Sequence, residues 1–315
     1  MSLDKSEILV SIVINNYNYE RFLQEAIDSA LNQTYPNIEV IVVDDGSTDN
    51  SREIIASYKE QIIPVFKENG GQASAFKAGF TASKGDIVCF LDADDIFPPN
   101  KVSKIVDVFG DSEDIGWCFH RVMRFDTKTG ESLGIIPDEK RSRECDFRAA
   151  LKSGKFSFRT PPTSGLCFRR SLLQLIFPFM EVIAPVCADQ QLRFAALALS
   201  KGFFLGENLA FLRIHDHNSY SFRGTNKKHI QMRARLNTLT AHWMWNNFPD
   251  ITKSSNKLFA KGLGVSLRTG DLDKEYTEIV KNYLSGVSQI EKLEISIRAF
   301  YFYVKGEPDV KGYRK

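Results

Sequence analysis

Three short apolar runs, each broken off by a polar or acidic cluster, constrain this 315-residue chain more than any other feature. Residues 8–14 read ILVSIVI and stop at Asn15-Asn16-Tyr17. Residues 38–43 read IEVIVV and stop at Asp44-Asp45-Gly46-Ser47, and residues 85–91 read GDIVCFL and stop at Asp92-Ala93-Asp94-Asp95. Continuous β-branched runs of this length are expected for strands buried on both faces. The segments between them have helical spacing. Residues 21–32 set Phe22, Ala26, Ile27, Ala30 and Leu31 on one side, Ser47-Thr48-Asp49-Asn50 can cap a helix running to about Tyr58, and residues 73–82 read as a small-residue helix. With a short strand at residues 62–66, this alternation predicts a parallel, doubly wound sheet. In such sheets ligands bind beyond the carboxyl ends of the strands, and both acidic clusters fall there.

Residues 111–210 are less regular, with strands expected at 116–121 and 164–169 and a helix at 189–200 that carries an acid in its first turn. Beyond residue 225 the pattern turns helical, over residues 229–247, 255–269, 274–284 and 289–304. A net charge of +2 argues against nucleic acid as a partner. Cys89, Cys118, Cys145, Cys167 and Cys187 are scattered without a CxxC pair, which suggests reduced thiols and a cytoplasmic setting, with Cys89 a core residue of its strand. Residues 1–7 are polar and do not read as a signal peptide. The greasiest stretch, residues 172–188, contains Pro178, Glu181 and Pro185 and is not read as a membrane span; peripheral contact with the inner face of a membrane stays open.

A nucleoside diphosphate concentrates negative charge, so a carboxylate-lined site needs a cation to hold it. Mg2+ or Mn2+, which take hard oxygen ligands from carboxylates and phosphates, suit that task. Asp92, Asp94 and Asp95 can supply such oxygens, the bland reading being a solvated acidic turn. For Asp45-Gly46-Ser47 the bland reading is a turn that caps the next helix.

The run VSIVINNYNYERFLQEAIDSALNQTYPNIEVIVVDDGSTDNS, followed by NGGQASAFKAGFTASKGDIVCFLDADD, resembles the GT-A glycosyltransferases of family 2. The resemblance is strong over residues 9–99, weaker to about 221, and does not reach the C-terminal quarter. It implies a GT-A fold, an α/β Rossmann-like doubly wound mixed sheet, with a helical C-terminal extension. The catalytic domain would be residues 1–224, divided near 110 into nucleotide-sugar-binding and acceptor-binding halves, and residues 225–315 the helical region. By resemblance Asn15 and Tyr17 line the base pocket, Asp45 bonds the base, and Gly70, Gly71, Gln72 and Ser74 form the loop beside the nucleotide. Asp92 and Asp94 contact the donor, and Asp94 and Asp95 ligate the divalent cation. In VCADQQ, Asp189 corresponds to the catalytic base, although Ala188 stands where the family has an acid. In RIHDHNSYS, His215 would be a further metal ligand with His217 its rival, and Arg213 or Arg223 would neutralise phosphate. Lys77 departs from the family's usual asparagine.

The activity so implied is inverting, metal-dependent transfer from a nucleotide sugar, most commonly a UDP-sugar, to a sugar, lipid-linked or other hydroxyl acceptor. The alternatives are a catalytically silent scaffold of the same fold and a phosphoryl-transfer domain. The lack of a GxGxxG after the first strand speaks against a dinucleotide-dependent dehydrogenase. The segment TPPTSG at residues 160–165 is assigned to the acceptor side, and Trp117 to the core rather than to a sugar platform. The basic helix carrying Lys227, Lys228, Arg233 and Arg235 is read as packed on the protein rather than lying on a membrane. Residues 295–303 (ISIRAFYFY) suit either a homodimer contact or a core helix.

Overall fold

The structure, a computed structural model, describes residues 5–180, 188–216, 218 and 226–306. The chain divides into two compact units: Met1–Asp146, Phe158–Ala184 and Leu199–Ile214 form the first, and Phe147–Ser157, Pro185–Ala198 and His215–Lys315 the second.

The first unit begins with β1 (Val10–Asn16), α1 (Glu20–Leu31), β2 (Ile38–Asp44), α2 (Ser51–Ser57), β3 (Ile63–Phe66), α3 (Gly71–Ala82), β4 (Ile87–Asp92) and α4 (Lys101–Gly110). It continues with β5 (Trp117–Asp126), β6 (Ser132–Ile136) and β7 (Arg143–Cys145); after α5 (Arg148–Ser153), which belongs to the second unit, come β8 (Leu166–Arg169) and α6 (Arg170–Ile176). Past α7 (Ala188–Leu199), β9 (Gly202–Ile214) completes the sheet. Among the described residues nine strands form one sheet in the order β3-β2-β1-β4-β8-β5-β9-β7, with β6 paired to β5. The first four strands are parallel, and β8 runs antiparallel to both β4 and β5, which makes the sheet mixed.

The apolar runs form strands because both faces are covered: Val10, Ile12, Val13, Ile14, Val42, Val43 and residues 87–91 are fully buried. Register then sets the site. Asn15 pairs with Asp92 across β1 and β4, and Asn16 pairs with Asp44 across β1 and β2, so three polar strand ends stop level with one another.

Periodicity alone did not reveal α4, β9 or the β5–β6 hairpin. The expected strand at 164–169 starts at Leu166, because residues 163–165 make a 3-10 turn. Trp117 is fully buried against Phe119, with ring centroids 4.5 Å apart, and its indole N–H donates to the Ser200 carbonyl. It is a core aromatic, as expected.

In the second unit α5 and α7 join α8 (Lys227–Asn247), α9 (Thr252–Thr269), α10 (Lys274–Gly286) and α11 (Gln289–Lys305). Their ends follow capping chemistry: Asp273 accepts from the Tyr276 N–H, Ser288 and Glu291 form a capping box, and Gly270, at φ +74°, closes α9. On α8, Leu236, Leu239, Trp243 and Met244 are buried, and Arg235 pairs with Asp273 and Glu275 over the Tyr276 ring. The basic helix is packed on its own unit. Among the described residues no helix is long and apolar enough to cross a membrane.

Candidate active site

At the end of β2 every acid has its donors built in. Asp44 is fully buried and accepts from Asn16 Nδ2 at 3.0 Å, the Ser47 N–H at 3.1 Å and Arg52 Nε at 3.0 Å. Burial alone would push its carboxyl up, but the bonds from Ser47, Arg52 and Asn16 outweigh it and hold the group below the usual carboxylate range. Asp45, 3% exposed, accepts from Lys67 Nζ and from the Gly70 and Gly71 N–H groups at 3.0 and 2.7 Å. Two glycines make this possible. Gly71 sits at φ +78°, and at Gly46, φ +81°, a Cβ would lie 2.6 Å from the Asn69 nitrogen. A cleft of about 540 Å³ opens here, lined by Gly46, Arg52, Phe66, Lys67, Glu68 and Asn69.

The end of β4 is built differently. Asp92 Oδ1 accepts from Asn15 Nδ2 at 3.0 Å, and its N–H donates to Ser164 Oγ at 3.2 Å. Ser164 Oγ in turn donates to Asp95 Oδ2 at 2.5 Å, while Asp95 Oδ1 accepts from the Arg213 N–H at 3.2 Å. A backbone bridge between Ile96 and Phe211 pins this turn to β9. Burial, and then the charges of Asp94 and Asp92, push the Asp95 carboxyl well above the usual carboxylate range. Asp94 is 8% exposed. Lys101, fully buried at the start of α4, donates to the Ser164 carbonyl at 3.0 Å and lies 3.1 Å from the Phe97 ring centroid; burial pulls its ammonium below the usual lysine range.

The other expected residues fall as follows. Asn15 presents a buried Oδ1 that meets no donor among the described residues. Tyr17 is 45% exposed, Gln72 is half-buried in the first turn of α3, and Lys77 points to solvent. Asp189 opens α7, with one oxygen 3.0 Å from the Arg193 guanidinium and its buried Oδ1 without a donor among the described residues. His215, also in the second unit, is buried; its Nε2 lies 3.2 Å from Asn218 Nδ2, and its N–H donates to Asn218 Oδ1. The expectation that Arg213 serves phosphate needs correcting. Its fork is taken by Glu25, at 3.2 and 2.5 Å, and its guanidinium lies over Phe22. Its contribution to the carboxylate turn is the backbone N–H. Residues 186 and 187 of the VCADQQ segment, His217 and Arg223 lie outside the described residues.

Sequence reasoning missed Ser164 and Lys101. Ser164 belongs to the segment assigned to the acceptor side, yet it bridges Asp92 and Asp95. Lys101 carried a signal: it lies four residues before Ile105, on the buried face of a helix whose Val102, Val106 and Phe109 are also buried.

Two carboxylates at a strand end, backed by a third that is buried, fit a hard divalent cation by donor chemistry. Among the described residues no three of His, Cys, Asp and Glu are grouped so as to hold a metal ion by themselves; a Mg2+-type ion shared with phosphates needs only one or two protein carboxylates.

The sheet is mixed and carries carboxylates at the ends of its parallel strands, the edge at which open α/β sheets bind ligands. The chain matches glycosyl transferase family 2 over residues 11–177 and belongs to that family. It is 40% identical over 217 residues to an uncharacterized glycosyltransferase of Nostoc sp., covering 67% of this chain and 66% of that one. An uncharacterized glycosyltransferase of Rickettsia prowazekii is 41% identical over 139 residues, 43% of each chain. The matched regions thus span less than two thirds of these curated relatives. Among solved structures, S. aureus TarS 1-349 in complex with UDP-GlcNAc has a TM-score of 0.60 at 17% identity, covering 96% of this chain and 82% of that one. The mannosyltransferase PcManGT from Pyrobaculum calidifontis, in complex with GDP-Man and Mn2+, has a TM-score of 0.50 at 14% identity, covering 96% and 88%. At these identities the likeness shows the GT-A fold.

Proposed function

We propose that this chain is an inverting glycosyltransferase that moves a sugar from a nucleoside diphosphate donor, a UDP-sugar, to a hydroxyl of a sugar or lipid-linked acceptor. The observation that carries the reading is the register of β2, β1 and β4, which levels Asp44-Asp45, Asn15-Asn16 and Asp92 at one edge of a family 2 fold. On this reading residues 1–224 are the catalytic domain and residues 225–315 a helical extension.

The roles follow from what each side chain has left to offer. Asn15 presents an acceptor without a partner among the described residues, suited to a base or ribose donor, and exposed Tyr17 offers an aromatic face. Asp45 bonds the base, and through Lys67 and the Gly70 and Gly71 N–H groups it also holds the loop that leads to Gln72. Asp94, with Asp92 and the buried Asp95 behind it, would hold a Mn2+ or Mg2+ ion, and His215 is the candidate further ligand. When bound, such an ion offsets the charge of the departing diphosphate, an effect worth several kcal/mol.

Asp189 supplies the base. Arg193 orients one of its oxygens and leaves Oδ1 to take the acceptor hydroxyl proton. The acceptor oxygen then bonds to the anomeric carbon from the face opposite the nucleotide, and the bond to the diphosphate oxygen breaks with its electron pair. The proton ends on Asp189, and no glycosyl-enzyme intermediate forms.

The test is release of nucleoside diphosphate from UDP-, GDP- and dTDP-sugars with Mn2+, Mg2+ or EDTA. Cation-dependent release from one donor, abolished by Asp94→Asn, supports the reading. No cation-dependent binding of any nucleotide by calorimetry would sink it. Asp189→Asn should lower acceptor-dependent turnover by about 10²–10⁴-fold while leaving donor binding unchanged.

A further inference from the structure

α11 has two apolar faces, and only one of them is used. Ile295 and Ala299 are buried. α9 lies close on that side: a Cβ at Gly264 would fall 2.2 Å from the Ala299 carbonyl and 2.9 Å from Phe302 Cβ. The helix is held at both ends, by the Ser288–Glu291 capping box and by the Arg268 guanidinium, which donates to the carbonyls of Tyr303 and Val304. On the opposite side Ile290, Leu293, Ile297, Phe300 and Val304 are 57–75% exposed. Their spacing of three, four, three and four residues is that of a coiled-coil a/d seam, about 21 Å long at 1.5 Å per residue.

We infer that this face is a homodimer interface, on which α11 of a second copy lies antiparallel. Three observations select that occupant. The spacing is the one that seats another helix, and a groove of about 470 Å³ flanks it at Ile297, lined by Glu294, Arg298, Tyr301 and Phe302. With Tyr301 and Tyr303, 50% and 47% exposed, the seam offers on the order of 800 Å² of side-chain surface, about what one partner contributes to a standard-size interface. Charge along the helix is also polarised. Glu294, beside the seam, lies in its first half and Arg298 and Lys305 in its second, with Lys292 against the trend; Glu291, also in the first half, is turned to Ser288 and Asn256. Antiparallel pairing sets the acidic half of one copy against the basic half of the other, whereas parallel pairing would oppose like charges. A membrane-binding helix would instead carry a predominantly basic polar face.

The experiment uses the full chain in sedimentation equilibrium at micromolar concentrations, beside Ile297→Glu, an exposed position whose change should leave circular dichroism and Tm intact. A dimer whose dissociation constant rises more than about tenfold in Ile297→Glu is expected, since a charge placed in an apolar seam must be desolvated. Orientation is read by mixing Ile290→Cys with Val304→Cys and adding a short bis-maleimide. Cross-links between the two variants should exceed those within either one. A chain that stays monomeric to about 100 μM, a dimer indifferent to Ile297→Glu, or cross-linking mainly between Ile290→Cys copies would each overturn the inference. So would a monomer that binds anionic vesicles through Ile297, which would assign the face to a membrane.

Discussion

The ends of β2 and β4 carry nearly the same sequence signal, a pair or triplet of aspartates after a buried strand, yet they are opposite electrostatic objects. At β2, Asp44 and Asp45 are met by Arg52, Lys67 and backbone N–H groups. At β4, Asp92, Asp94 and Asp95 crowd one another, with a serine hydroxyl, an asparagine amide and a lysine amine one residue removed. The Asp44 carboxyl is held below its ordinary range by its bonds in spite of burial, whereas the Asp95 carboxyl is pushed well above it, by burial first and then by the charges of Asp94 and Asp92. A carboxylate cluster supplied with its own positive partners can shape a loop. Three carboxylates gathered around one turn suit, by donor chemistry, a cation that arrives with the substrate.

Four substitutions test the contrast. The largest effect is expected for Asp94→Asn at the β4 end: a fall of about 10³-fold in donor turnover and loss of the response to Mn2+ or Mg2+, measured as diphosphate release with unchanged circular dichroism. Lys101→Met should cost about 2–3 kcal/mol by urea unfolding, because the Ser164 carbonyl loses its donor and the acids lose a buried positive charge. If stability does not change, Lys101 does not support the β4 end. Asp45→Asn should weaken nucleotide binding about tenfold, roughly one lost charge-assisted hydrogen bond, as read by calorimetry.

The smallest effect belongs to Arg52→Ala. The Arg52 side chain is 49% exposed, so solvent screening limits the loss to about 1 kcal/mol or less. Its pH dependence has a definite sign. The Asp44 carboxyl is held below its unfolded value of about 3.9, so its stabilisation is complete above that pH and lost as pH falls through the folded value. Removing Arg52 should therefore narrow the difference between wild type and variant in strong acid, with the acid-unfolding midpoint of the variant moved upward.

Legibility followed how local the determining physics was. The parallel strands, their crossing helices and the four C-terminal helices could be read to within a few residues, because burial on both faces, 3.6-residue spacing and capping residues are written in adjacent positions. Residues 202–214 were not read as a strand: GFFLGENLAFLRI has neither strict alternation nor an unbroken apolar run, and the strand exists because β5 and β7 flank it. The seam on α11 shows the same divide. The apolar spacing of residues 290–304 was visible, but which apolar face is covered depends on α9.

By itself the sequence determined that aspartates would end buried parallel strands at a ligand-binding edge, because strand burial and turn chemistry are local. Only the tertiary structure decided that Asp44 is met by a guanidinium while Asp95 is bonded by a hydroxyl and a backbone N–H, that Ser164 and Lys101 support the second cluster from 69 and 6 residues beyond Asp95 in the chain, and that Arg213 is committed to Glu25. Those outcomes are fixed by which distant groups the folded sheet brings within hydrogen-bonding reach, and by how much water it leaves around them.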